Sequence, residues 1–155
     1  MVNISGNKYS NHPDELYSER ERVITYFEKN TQNEFDLFGT GWDKKMHPSY
    51  LGTVKDKSET YHKYRFALCL ENTKDASGYL TEKLFDCFVA GIVPVYWGDT
   101  DINKFLPQKC YIDYTSFASI GEMRNYLLNM EETTYKQYLN EIDRLLETDI
   151  QRYFT

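Results

Sequence analysis

The sequence predicts an α/β protein: a mostly parallel sheet with helices on both faces. Two observations carry this. Short apolar runs of strand length alternate along the chain with longer segments of helical period. The chain has 155 residues, 41% apolar and 27% charged, enough for a core, with no internal repeat, low-complexity tract or long linker. Residues 1–155 therefore read as a single domain.

The elements follow in order. Val2 to Ser5 is a short strand, followed by a polar loop through Asn11 and Pro13. Asp14 starts a helix to about Lys29, with Leu16, Val23, Ile24 and Phe27 as its apolar stripe. Phe35 to Phe38 is the second strand, ended by Gly39 and Gly41. Residues 42–56 read as a loop and Ser58 to Lys63 as a short helix leading to the third strand, Phe66 to Leu70. The polar stretch Glu71 to Gly78 is a loop. A helix follows from about Leu80 to Ala90, with Gly91 as its C-terminal cap and Leu84, Phe85, Phe88 and Val89 as its buried stripe. Ile92 to Trp97 is the fourth strand, where Pro94 predicts an irregular edge or a bulge. Lys109 to Asp113 is a fifth strand, and helices over Ser119 to Asn129 and Thr133 to Glu147 close the chain.

Composition excludes some functions. The formal charge is −6, which gives no electrostatic support for nucleic-acid binding, so an anionic ligand needs local basic groups. No apolar run approaches membrane-spanning length, and the N-terminus has no signal-peptide apolar core. Cys69, Cys87 and Cys110 are odd in number and too widely spaced for a CxxC metal site. They read as buried, reduced, structural residues, which favours a reducing compartment. The 14 tyrosines read mainly as half-buried core and rim residues.

Parallel sheets bind ligands at the C-terminal ends of their strands, which singles out the loops after Ser5, Gly39, Leu70 and Trp97. In Leu80-Thr81-Glu82-Lys83 a helix start coincides with a basic side chain. Free backbone N–H groups, the helix dipole and the Lys83 ammonium together suit a diphosphate. Glu82 can accept hydrogen bonds from ribose or sugar hydroxyls, and Asn72 and Tyr79 flank the loop. The same residues also read as a plain helix start, with Thr81 the N-cap and Glu82 complementing the dipole. Asp99-Thr100-Asp101 after the fourth strand can hold a divalent cation against a nucleotide diphosphate, or Asp101 can cap a short helix over Ile102 to Phe105. His12, His47 and His62 are isolated, and no nucleophile elbow, P-loop or G-x-G-x-x-G occurs.

The run from Tyr64 to Gly98, YRFALCLENTKDASGYLTEKLFDCFVAGIVPVYWG, resembles the signature region of the α1,3/α1,4-fucosyltransferases, glycosyltransferase family 10. An apolar strand, a FEN-type turn, a variable loop, the Y-[VIL]-TEK-[LI] helix start and a [VI]-P-[VI]-[VY]-[WL]-G strand occur in order. The likeness extends through Lys104 to Pro107 and Tyr114 to Phe117, and upstream over Asp14 to Phe38.

The resemblance implies a Rossmann-like domain, one half of a GT-B type two-domain glycosyltransferase. This half would be the C-terminal, GDP-fucose-binding domain, with the N-terminal acceptor domain absent from the chain and the general base, unknown here, expected in it. It implies Asn72 and Tyr79 in the donor loop, Glu82 on the ribose and Lys83 on the diphosphate. An arginine of the first helix would join them: Arg22, with Arg20 the fallback if the alignment slips by two residues. Either arginine also reads as part of a solvated helix face. Ser5-Gly6-Asn7 matches the family's turn after the first strand, while the seven steps from Asn72 to Tyr79 leave the loop's conformation open.

No cofactor is implied, a divalent metal is not expected, and the acceptor is an N-acetylglucosamine-containing glycan. Partners in this reading exclude nucleic acid and include peripheral membrane association of the full-length protein. A bacterial or viral enzyme would sit in the cytoplasm or at the membrane's cytoplasmic face; a eukaryotic one that has lost its anchor would belong to the Golgi. Three functional readings follow: the donor half of an inverting fucosyltransferase, a GDP-sugar-binding module inactive alone, or a metal-dependent transferase using Asp99 and Asp101.

Overall fold

The computed structural model describes residues 1–74, 76–148 and 150. Five strands, β1 (Val2–Ile4), β2 (Asp36–Phe38), β3 (Phe66–Leu70), β4 (Val93–Trp97) and β5 (Ile112–Asp113), form one sheet in the order β2-β1-β3-β4-β5. Every pairing is parallel. Five α-helices accompany them: α1 (Tyr17–Asn30), α2 (Lys57–Tyr61), α3 (Glu82–Ala90), α4 (Ile120–Leu128) and α5 (Glu132–Leu146). All five residues of β3 are buried, as a strand covered on both faces must be. One helical group packs α3 against α2 and α5. The other brings α4 to α1, with the Tyr26 hydroxyl beside Gly121. Among the described residues no helix is long and apolar enough to cross a membrane.

The expected strands and helices all occur, with displaced ends. The first helix starts at Tyr17 rather than Asp14, and the fifth strand shrinks to two residues because a 3₁₀ turn occupies Gln108–Cys110. Gly91 caps α3 in the left-handed conformation, φ 73°. The bulge expected at Pro94 does not form. The β3–β4 register runs unbroken from Phe66↔Val93 to Leu70↔Trp97. Val93 donates to Arg65 on the β3 side, so Pro94 faces the opposite side, where β5 pairs only from Val95 onward. The missing N–H therefore costs no ladder bond. The loop over residues 42–56 covers the sheet edge: Leu37 of β2 donates to the Ser49 carbonyl and accepts from Leu51, 3.0 and 2.8 Å.

The buried stripe of α3 differs from expectation. Leu84, Cys87 and Phe88 are buried and Phe85 partly so, but Val89 is 54% exposed. The contacts of α3 with α2 and α5, Tyr61 against Cys87 among them, turn its Cys87 side inward. Leu84→Ala is accordingly expected to cost about 2–5 kcal/mol, and Val89→Ser less than about 0.5 kcal/mol, in chemical denaturation.

Arg124 of α4 clasps Glu34, just before β2, through Nε and Nη2, both at 2.7 Å. The hydrogen bonds from Arg124 hold the Glu34 carboxyl below the usual carboxylate range. A depressed carboxyl stabilises the fold above its unfolded value, about 4.3, and that contribution disappears as pH falls through the folded value. The melting temperature of Glu34→Gln is thus expected below that of the unmodified chain at pH 7, with the two curves converging on acidification.

Candidate functional site

The strand order reverses between β1 and β3: from β1 the chain first adds β2 on one side and then β3 on the other. Such a reversal opens a crevice at the C-terminal ends of the strands. A cleft of about 420 Å³ lies there, lined by Ser5 and Gly6 after β1, Gly39 and Thr40 after β2, Asn72 after β3 and the first turn of α3. Its floor is the tops of β1 and β3, Asn3–Ile4 and Leu68–Leu70. Three of the four loops singled out by topology thus meet. The loop after Trp97 does not line the cleft.

Among the described residues Lys8, Arg20, Lys57 and Lys83 line this cleft with one carboxylate, Glu82, while Asp86 and Glu71 pair with Lys57 and Lys83 from outside it. Thr81 is the N-cap of α3, its side chain accepting from the Lys83 amide, and the helix begins at Glu82. The first turn therefore presents its free N–H groups beside Lys83. Asn72 is held by its backbone. Its carbonyl accepts from Leu16 at 3.0 Å, and the neighbouring Thr73 hydroxyl and Lys74 amide donate to the Asp14 carbonyl. The loop after β3 is thereby stitched to the segment preceding α1.

Arginine placement separates the two candidates. Arg20 is 3% exposed, donates from Nη2 to the Leu70 carbonyl at 2.7 Å and lies over the Tyr17 ring. Its Nε has no partner among the described residues. No carboxylate lies within ion-pair distance of it among the described residues, and burial lowers its pKa. Arg22 lies outside the cleft. Its side chain is 63% exposed and forms a bidentate pair with Glu19 at 3.0 and 2.7 Å. Two residues amount to about 200° of helical rotation, so exchanging them reverses the helix face. Tyr79 also lies outside the cleft, in the turn where its amide donates to Ala76. Asn72, Glu82 and Lys83 are therefore brought together with Arg20 rather than Arg22, and without Tyr79.

The Asp99 and Asp101 carboxylates have separate duties. Asp99 is buried, and its Oδ1 accepts from the Gly78 and Asp101 amides at 3.0 and 2.9 Å. Asp101 pairs with Lys104 at 2.8 Å and with the Ser77 hydroxyl, so it does not cap the 3₁₀ turn Ile102–Lys104 through its side chain. Among the described residues no group of three or more His, Cys, Asp or Glu is placed to hold a metal ion. Cys69, Cys87 and Cys110 are buried and unpaired. Hydrogen bonding to Cys87 and burial push the Cys69 thiol well up, so this cleft residue is a poor nucleophile.

Sequence reasoning gave no role to Lys8, Lys57 or Glu71. Lys8 and Lys57 carry no local motif; they reach the cleft because β1 and the segment before α2 end there. Glu71 was legible as the polar residue ending an apolar strand, but its direction was not. It is fully buried beneath the first turn of α3.

The parallel sheet and the crevice at its switch point define the molecule's class: a Rossmann-like α/β domain. Residues 8–146 match the C-terminal domain of glycosyltransferase family 10 (fucosyltransferase), and the chain belongs to that family. An α-(1,3)-fucosyltransferase from Helicobacter pylori is 33% identical over 103 residues, covering 65% of this chain and 21% of that protein. The fold matches a crystal structure of an α1,3-fucosyltransferase with GDP at a TM-score of 0.68 and 21% identity, covering 99% of this chain and 48% of that one. A structure with GDP-fucose matches at a TM-score of 0.65 and 20% identity, over 97% of this chain and 47% of that one. The chain thus spans about half the length of those structures and about a fifth of the bacterial relative.

Proposed function

We propose that this chain is the donor-binding domain of an inverting fucosyltransferase that moves fucose from GDP-fucose to an N-acetylglucosamine-containing glycan. The observation that carries the reading is Arg20: a buried guanidinium whose Nε has no partner among the described residues, lining a cleft beside Lys83 and the N-terminus of α3. Among the described residues no carboxylate comes within ion-pair distance of this buried cation, Glu71 acting on it from farther off, and an anionic ligand offsets the cost of its burial. A diphosphate fits three converging positive elements, and Glu82 on the same rim suits a sugar hydroxyl. Family membership and the GDP and GDP-fucose named for the structural relatives supply the nucleotide.

The chemistry follows from charge. An acceptor hydroxyl attacks the anomeric carbon in line as the bond to GDP breaks through an oxocarbenium-like state. Negative charge develops on the departing diphosphate, where Arg20, Lys83 and the α3 N-terminus stabilise it without a metal. The base that takes the hydroxyl proton belongs, in this proposal, to an acceptor domain outside the chain. The buried free thiols fit a reducing compartment.

Calorimetry of the 155-residue chain with GDP, GDP-fucose and UDP, with and without chelator, tests the donor assignment. GDP and GDP-fucose are expected to bind with or without chelator, and UDP far more weakly. Equal affinity for UDP, or loss of binding on chelation, would overturn the assignment. Fucose transfer to N-acetyllactosamine by the chain joined to an acceptor domain separates a catalytic half from a module that only binds.

A further inference from the structure

Glu71 is 0% exposed, less than any other Asp, Glu, Lys, Arg or His among the described residues. It does not line the cleft; it lies behind it. Its Oε2 accepts from the Thr81 hydroxyl at 2.7 Å and lies 3.6 Å from Lys83 Nζ, and its Oε1 accepts from the Thr81 amide at 3.2 Å. Thr81 Oγ1 in turn accepts from the Lys83 amide at 3.4 Å. One buried carboxylate thus reaches Lys83 twice, at the ammonium and, through Thr81, at the backbone.

The surrounding structure is shaped for this carboxylate. The Glu71 amide donates to the Trp97 carbonyl at 2.9 Å, closing the β3–β4 ladder at its upper end. The next residue is Gly98. A Cβ there would lie 2.7 Å from Glu71 Cβ and 2.8 Å from the Tyr96 hydroxyl, so glycine alone leaves the space. Burial pushes the Glu71 carboxyl up from its ordinary value, which measures the cost of placing it here. Capping α3 does not demand that cost, because the Thr81 side chain already accepts from the first turn.

We propose that Glu71 is a positioning residue that aims the Lys83 ammonium at the diphosphate of the donor. The inference rests on the donor reading above. Lysine has a flexible four-carbon stem, and ordering it on binding would subtract from affinity. Anchoring the ammonium before the donor arrives removes part of that loss beforehand. Lys83 is 24% exposed, so its charge stays open to the cleft while it is held from behind.

The test is a double-mutant cycle on the 155-residue chain. Dissociation constants for GDP and for guanosine are measured for the unmodified chain, Glu71→Gln, Lys83→Met and the double variant, with melting temperatures alongside. Glu71→Gln is expected to raise the GDP constant about tenfold and the guanosine constant less than about twofold. In the Lys83→Met background it should add nothing. An unchanged GDP constant, equal losses for GDP and guanosine, or the same loss in both backgrounds would reduce Glu71 to a helix-capping role. Should Glu71→Gln not fold, the Lys83 ammonium resonance of the unmodified, unliganded chain decides. Slow proton exchange supports an anchored group, and rapid exchange with no protected signal overturns the proposal. If the unmodified chain does not bind GDP, the donor reading fails and this inference with it; if it binds but the cycle shows no coupling, this inference fails alone.

Discussion

Arg20→Met is expected to weaken GDP binding by about 1.5–3 kcal/mol, roughly a tenfold to 150-fold rise in Kd, the worth of charge-assisted hydrogen bonds to an anion. Arg22→Met, two residues away, is expected to change GDP binding by less than about 0.5 kcal/mol. The contrast follows from position. The Arg20 guanidinium is buried at the cleft, its Nε without a partner among the described residues, whereas Arg22 is solvated and paired with Glu19. Methionine preserves most of the side-chain volume at position 20 but removes the donor to the buried Leu70 carbonyl, so the unliganded variant is expected to melt somewhat below the unmodified chain. Its stabilisation by GDP, read relative to its own unliganded melt, should be largely lost. Isothermal calorimetry and thermal melts with and without GDP read both effects. Equal losses from the two variants would return Arg22 to the site.

Gly39→Ala is expected to cost about 3–5 kcal/mol of folding stability. Gly39 ends β2 with φ at 131°, a conformation open almost solely to glycine. An added Cβ would sit 2.6 Å from the Ser5 carbonyl carbon and closer still to its oxygen. Neither side can yield cheaply, because Ser5 donates to the Phe38 carbonyl at 3.0 Å and its own carbonyl accepts from the Trp42 indole at 2.8 Å. The clash falls on the cleft wall, so surviving folded protein should also bind GDP poorly. Gly6→Ala is the control: its added Cβ meets nothing nearer than the Thr40 hydroxyl at 3.4 Å, an ordinary contact. Urea titrations of the two variants should differ by more than about 2 kcal/mol.

Legibility varies by element. The sequence marks β3 to the residue, because its apolar run is bounded by Arg65 and Glu71. The Thr-Glu-Lys signature locates the α3 start to within two residues, since capping chemistry is local. The fifth strand is shorter than its sequence suggests, because β propensity cannot tell a two-residue pairing from the 3₁₀ turn before it. Pro94 in the sequence signals irregularity. Its tolerance depends on where β5 begins, which no local window contains.

The sequence by itself determined the alternation of strands and helices, the buried cysteines, and the position of Lys83 and Glu82 at a helix start after the third strand. These depend on periodicity and on chemistry within a few residues. Tertiary structure decided which arginine faces the cleft, that Tyr79 does not, that Asp99 serves the backbone, and that Glu71 lies behind Lys83. The physical reason is rotational and long-range. A helix turns about 100° per residue, so face assignment depends on which sheet surface it meets. Glu71, Thr81 and Gly98 meet only when adjacent parallel strands bring their upper ends together.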